Sequence, residues 1–185
     1  MEVFFPKKSS DGFTLIELMV VIAVLAITVM VAVPSMRGLI HRNQLRTETS
    51  RLLSAINLTR SEAISRNAVV SLCPSAFSTD GIAVCSRSYS DGWIVFTNAD
   101  RDRVVDKDVD EILRVFKGLP TGYSLTNKAG TRDAFEVISY RPDGSSRRNR
   151  TLMICPPFDA KIPSWSLVMN IVGRPRVARG WGDCA

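Results

Sequence analysis

Histidine is almost missing from this chain: among 185 residues, His41 is the only one. One histidine in a near-membrane setting leaves no basis for a Ser-His-Asp or Cys-His catalytic arrangement. It also argues against a zinc site, as does the lack of any C-x-x-C pair. No P-loop and no G-x-G-x-x-G is present, so the common nucleotide cradles are excluded. Aromatic residues make up only 8% of the chain, and no internal repeat or low-complexity tract appears. With 45% hydrophobic residues and a mean hydropathy of +0.07, the composition is neither disordered, nor collagen-like, nor that of a many-helix membrane protein. The expectation is a non-enzymatic chain without cofactor or metal, of a length that suits one ordinary domain.

Local net charge is the next scarcity. The total is +6, yet residues 1–40 contribute nothing, because Lys7 and Lys8 face Glu2 and Asp11, and Arg37 faces Glu17. Residues 41–136 hold 13 basic and 12 acidic residues. The last 49 residues hold 8 basic and 3 acidic ones, so nearly all of the excess lies there. A general electrostatic affinity for anions is therefore not expected, whereas a local one near the carboxyl end is.

What the amino end does have is one long apolar run. Phe13–Val33 reads FTLIELMVVIAVLAITVMVAV, 21 residues, enough as a helix to cross the ~30 Å hydrocarbon layer. A cleaved secretory signal usually has a shorter apolar region ending in a small-x-small site. This run ends at Pro34 without one, so a single transmembrane helix is expected. Glu17 is the anomaly, since a carboxylate near hydrocarbon costs a few kcal/mol and calls for a partner or for snorkelling to the interface.

Gly12-Phe13-Thr14-Leu15-Ile16-Glu17, preceded by Lys7 and Lys8 and followed by the apolar run, resembles the class III signal of type IV prepilins and type II secretion pseudopilins. The resemblance implies that a membrane prepilin peptidase cuts between Gly12 and Phe13 and methylates the new amino terminus on Phe13. It gives Glu17 the role of pairing with the α-amino group of a neighbouring subunit. Such a buried pair supplies axial registry more than stability. Pro34 matches the helix-kinking proline of that family, where the missing backbone donor permits a bend. The acidic residues of the leader depart from the pattern by cancelling its lysines.

Beyond the membrane, residues 37–66 lack proline and place Leu45, Leu52, Leu53, Ile56, Ala63 and Ile64 at spacings of 3, 4 and 7, the stripe of an amphipathic helix. From Ala68 the texture changes to short β-rich runs (VVSLC, GIAVC, WIVFT, ILRVF, FEVISY, TLMIC, WSLVMNIV), about seven antiparallel strands. The expected organisation is a leader at 1–12, a transmembrane or filament-core helix at 13–33, its amphipathic continuation at 34–66, and a β-rich head at 67–185. The four cysteines lie past the membrane run, and an even count in an exported head favours disulfides. Spacing leaves three connectivities open, of which Cys73 with Cys85 and Cys155 with Cys184 is the most local. His41 reads as a solvated or headgroup-level residue.

Two polar segments invite a test for chemistry. The run from Asn98 through Asp100, Asp102, Asp106, Asp108 and Asp110 to Glu111 alternates oxygens like a calcium loop. Arg103 stands where the turn glycine belongs and Val109 where the bidentate glutamate belongs, so a solvated hairpin loop is expected. Near the carboxyl end, Asn170 to Gly180 reads as a strand running into a loop that carries Arg174, Arg176 and Arg179. Arginines on such a loop could straddle successive phosphates, while a plain solvated or subunit-contact loop is the alternative. Arg141, Arg147, Arg148 and Arg150, around the Pro142–Gly144 turn, would widen the patch if the fold joins the two segments.

The order of long helix, Arg60-Ser-Glu-Ala63, Cys73, Gly92-Trp-Ile-Val-Phe96, Pro142-Asp-Gly144 and Gly173-Arg174-x-Arg176 resembles minor pilins of the FimT and FimU type, related to the secretion pseudopilin GspH. That resemblance implies an α+β pilin fold, with a long amino-terminal helix packed on an antiparallel head. It implies an inner-membrane, single-pass precursor with a periplasmic head, later extracted to or near a pilus tip. Its implied partners are the prepilin peptidase, other minor and major pilins or pseudopilins, and an inner-membrane assembly platform. Double-stranded DNA is a further implied partner, taken up in natural transformation through Gly173, Arg174 and Arg176, with Arg179 a physically motivated addition. A GspH-like role in type II secretion is the alternative that the motifs leave open.

Overall fold

The computed structural model describes residues 12–102, 104–160, 162–182 and 184, leaving aside the side chains of 33–35 and 159. The expected leader, with Lys7 and Lys8, therefore falls almost wholly outside the described residues. Helix α1 runs without a break from Leu15 to Ser65 and contains Pro34. The chain separates into two compact units, Met1–Leu39 and Ile40–Ala185.

In the first unit, the apolar side chains from Phe13 to Val31 have no cover: Leu25 is 62% exposed and Met30 is 76% exposed. Length and composition suit this stretch to crossing a membrane.

The second unit begins with the rest of α1, whose buried stripe is Leu45, Leu52, Ala55, Ile56 and Ala63. This is the periodicity the sequence shows, except that Ile64 is half exposed. Thr49 and Thr59 are buried with it because each hydroxyl donates back to a carbonyl four residues earlier, Leu45 and Ala55, at 2.7 Å. Two four-stranded antiparallel sheets receive the stripe. The first has the order β3 (Ile112–Lys117), β2 (Gly92–Thr97), β1 (Val70–Pro74), β5 (Ile138–Tyr140). The second has the order β4 (Ser124–Asn127), β6 (Arg150–Cys155), β7 (Trp165–Met169), β8 (Pro175–Arg179). Val70, Leu72 and Val95 from one sheet and Leu125, Leu152, Ile154 and Leu167 from the other close over the helix in one core.

Arg51, Arg60 and His41 fix the helix on the head through polar contacts. Arg51 donates to the Lys117 and Gly118 carbonyls at 2.7 and 3.0 Å, stacks 4.7 Å from the Trp93 ring centroid, and pairs with buried Glu48 at 2.9 Å. Arg60 Nε donates to the Gly144 carbonyl at 3.0 Å. His41 Nδ1 lies 2.8 Å from the Tyr123 hydroxyl. His41 is thus a half-buried packing residue rather than a solvated one, because the β4 approach brings a phenol to it.

The strand expectations need correction in five places. Gly81–Cys85 forms no strand: it follows the short helix α2 (Phe77–Asp80), and Val84 N donates to the Ile82 carbonyl two residues back. The Cys73–Cys85 bridge straps this segment over the outer face of β1 and β2, covering a second small core around Ile94 and Phe96. FEVISY shortens to Ile138–Tyr140 and WSLVMNIV to Trp165–Met169, and β4 and β8 were not expected as strands, so eight strands stand among the described residues. Polar β4 and β8 gain their strand character from pairing with β6 and β7 rather than from propensity.

Candidate functional site

Two surfaces hold the residues that the sequence singles out. At the amino end, Gly12 and Phe13 precede α1, and Phe13 is 86% exposed. Thr14 caps the helix: its Oγ1 accepts from the Glu17 backbone N–H at 3.3 Å. Thr14 and Glu17 thus have the spacing of a capping box, a signal present in the sequence as T-x-x-E before an apolar run. Glu17 therefore complements the positive helix end even in the monomer. Its carboxylate is exposed in the first turn, and no cation within 4.0 Å of it occurs among the described residues.

The basic carboxyl end is built on a hairpin. Asn170 closes its turn twice: its carbonyl accepts from Gly173 N at 2.9 Å and its Oδ1 from Arg174 N at 3.1 Å. Gly173 is buried, with φ +81°, and a Cβ there would lie 2.1 Å from the Gly144 carbonyl oxygen. No other residue fits this joint without moving backbone. The Tyr140 hydroxyl donates to the Gly173 carbonyl at 3.1 Å, and burial pushes that phenol up to about 12. Gly144, φ +73°, sits in turn against Arg60 and Ile64 of the helix. The separated motif residues Arg60, Gly144 and Gly173 therefore meet at one packing joint.

The arginines do not project from a loop, as the sequence suggested. Arg174 leaves the turn, whereas Arg176 and Arg179 belong to edge strand β8. Strand alternation separates them. Arg179 pairs in register with Trp165 and Val177 with the core residue Leu167, so Arg179 shares their side of the sheet. Arg176, opposite Val168, is on the other side. Each guanidinium has an aromatic support: Arg179 lies 4.5 Å from the Trp165 ring centroid and Arg176 5.2 Å from that of Trp181. Lys128 approaches the same Trp181 ring at 5.6 Å. All three arginines are exposed. The tail that carries Trp181 is held down by the Cys155–Cys184 bridge and by the Ser166 and Ser164 hydroxyls, which donate to the Trp181 and Gly182 carbonyls at 2.9 Å.

The Pro142–Gly144 segment does join this turn. Ser146 N donates to the Ile171 carbonyl at 2.9 Å, and Ile171 N donates to Asn149 Oδ1 at 2.8 Å. Arg150, expected to widen the patch, instead pairs with Glu136 and donates to the Val137 carbonyl. In the acidic segment, the Asp100, Asp102 and Asp106 carboxylates converge within 4.8 Å of one another. Burial, then the charges of Asp100, Asp102 and Asp110, raise the Asp106 carboxyl above its ordinary range. This convergence joins residues that the linear spacing of a calcium loop does not bring together.

Comparison with known proteins agrees with this architecture. A family model described as type II transport protein GspH matches residues 48–173, and one for the prokaryotic N-terminal methylation motif matches residues 7–33. The fold is similar to the type IV minor pilin FimU of Pseudomonas aeruginosa, with a TM-score of 0.55 at 19% identity, over 78% of this chain and 97% of that one. It is also similar to the minor pseudopilin EpsH from the type 2 secretion system of Vibrio cholerae, with a TM-score of 0.50 at 14% identity, over 74% and 97% of the two chains. No curated protein matches the sequence.

Proposed function

Because the chain belongs to the GspH family of type II transport proteins and carries the N-terminal methylation motif, we propose that it is a minor pilin, cut between Gly12 and Phe13, N-methylated on Phe13, and built into a type IV pilus at or near the tip. One observation carries this reading. A single helix is apolar and uncovered from Leu15 to Val31 yet forms the buried spine of a head from Leu45 to Ala63. An apolar face of that length needs lipid before assembly and other subunits after it. Prepilin peptidase, neighbouring pilins and an inner-membrane platform are the partners this route requires, and Glu17 and Pro34 are its assembly residues.

A second role rests on the hairpin. Arg174 and Arg176 are exposed, and Arg176 is stacked on Trp181, beside a turn that Gly173 locks. Such cations suit the phosphate backbone of double-stranded DNA, bound without sequence preference and released by salt. Arg179, on the opposite side of β8, contributes less. In neutral detergent, the full chain is expected to retard a short duplex at low salt, and Arg174→Gln with Arg176→Gln to abolish the shift. An unchanged shift in that variant, or none with the wild type, removes the DNA role. A GspH-like place in type II secretion is the alternative, and the EpsH-like fold favours it as much as the FimU-like fold favours the pilus. Loss of pili against loss of secreted proteins on deletion separates the two.

A further inference from the structure

Behind the joint of the two turns, on the side of the β2–β3 connection, four arginines converge on a cleft that the hairpin reading does not use. Two adjoining cavities, of about 190 and 200 Å³, are both lined by Arg101, Ser139 and Arg147. Arg148 lines the first and Arg141 the second. Asp102 is the one acidic residue among the lining side chains. No carboxylate within 4.0 Å of Arg101, Arg141, Arg147 or Arg148 occurs among the described residues, while Arg150, which also lines the first cavity, pairs with Glu136.

Convergence of like charges is unfavourable, and it persists where an anion or the fold repays it. Here the backbone is committed to it. Arg101 adopts φ +65°, a left-handed conformation unusual for a residue with a side chain. Its neighbour Asp102 is anchored through its carbonyl, which accepts from buried Asn98 Nδ2 at 3.0 Å. The same amide nitrogen donates to Ser71 Oγ at 2.9 Å, and Ser71 Oγ lies 2.8 Å from Ser139 Oγ in the cleft wall. A polar ladder through the first sheet thus links the floor of the cleft to the loop that presents Arg101. On the other flank, the bond from Ser146 N to Ile171 holds the segment that carries Arg147 and Arg148.

We propose that this cleft is a phosphate-binding site, with Arg101 and Arg147 as its central ligands and Arg148 and Arg141 closing it. Planar guanidinium forks match the oxygens of a tetrahedral phosphate in pairs, which a monovalent halide does not reproduce. Neither Arg174 nor Arg176 lines this cleft, and the proposal does not depend on the DNA role. The phosphate is either free or part of a nucleic-acid backbone, since both offer the same oxygens.

The test follows the arginine Nε–Hε NMR signals of the full chain in neutral detergent, titrated with inorganic phosphate at constant ionic strength. Saturable shifts of the Arg101, Arg147 and Arg148 signals are expected, with chloride giving none. Arg147→Gln and, separately, Arg101→Gln should each weaken binding about tenfold or more while the amide spectrum stays native. No saturable shift, or equal shifts with chloride, overturns the proposal. A short duplex then identifies the source. Movement of the same three signals makes it the nucleic-acid backbone, and movement of only the Arg174 and Arg176 signals makes it free phosphate. If the duplex moves nothing, the DNA role fails while the cleft still stands or falls on the phosphate titration.

Discussion

The two halves of α1 have nearly the same secondary structure and opposite surroundings. From Leu15 to Val31 the helix is, Glu17 apart, apolar on all sides and uncovered, while from Leu45 to Ala63 it is apolar along one stripe and that stripe is fully covered. A helix hydrophobic all round belongs in lipid or at the centre of an assembly, whereas a one-sided helix belongs on a globular surface. One half of α1 builds the core of the head, while the apolar side chains of the other half belong to no core among the described residues.

The sharpest way to break that comparison is a matched pair of truncations. Leu52→Ala removes a side chain that is 1% exposed and should cost about 2–5 kcal/mol in denaturant unfolding. Leu25→Ala, at a 62% exposed position, should leave the unfolding of the head unchanged. Equal losses from both would show that the first half is part of the head's own core.

Next in size is Gly173→Ala. The new Cβ meets the Gly144 carbonyl and the backbone is left-handed, so a loss of about 1–3 kcal/mol is expected. Differential scanning calorimetry should register it as a lowered Tm. An unchanged Tm would mean that the turn joint is slack and that Gly173 acts only through its neighbours.

The smallest effect concerns the acidic loop. With the Asp106 carboxyl raised above 3.8, the folded chain keeps a proton that the unfolded chain has already lost. Stability from this group therefore falls as pH rises from about 4 through the raised value. Asp106→Asn should remove that dependence and slightly raise the melting temperature at neutral pH. A variant less stable than the wild type at neutral pH would show that the ionised carboxylate is favoured where it stands.

Much of this was legible because it is local in the chain. The N-terminal methylation motif, the apolar run, the helical stripe and the strands richest in Val, Ile and Phe all follow from neighbours in sequence. The pairing of Cys73 with Cys85 and of Cys155 with Cys184 is likewise the most local of the open connectivities. What escaped depends on tertiary register. Polar β4 and β8 are strands only because β6 and β7 offer them partners. The separation of Arg176 from Arg179 follows from strand alternation, which is invisible while the segment is read as a loop. Arg150, expected to widen the basic patch, pairs instead with Glu136, a residue distant in sequence. Thr14 with Glu17 carries the T-x-x-E spacing of a capping box, a local signal in the sequence that the structure bears out through the Thr14 hydroxyl.

The central claim is that the first half of α1, through Glu17, serves assembly and not the fold. Glu17→Ala tests it most directly, by comparing the processed chain in membranes with that in sheared filaments by quantitative immunoblot. The account predicts normal cleavage at Gly12–Phe13 and an unchanged head, with incorporation into filaments reduced about tenfold or more, as expected for loss of a buried charge partner. Wild-type incorporation of the variant would contradict it.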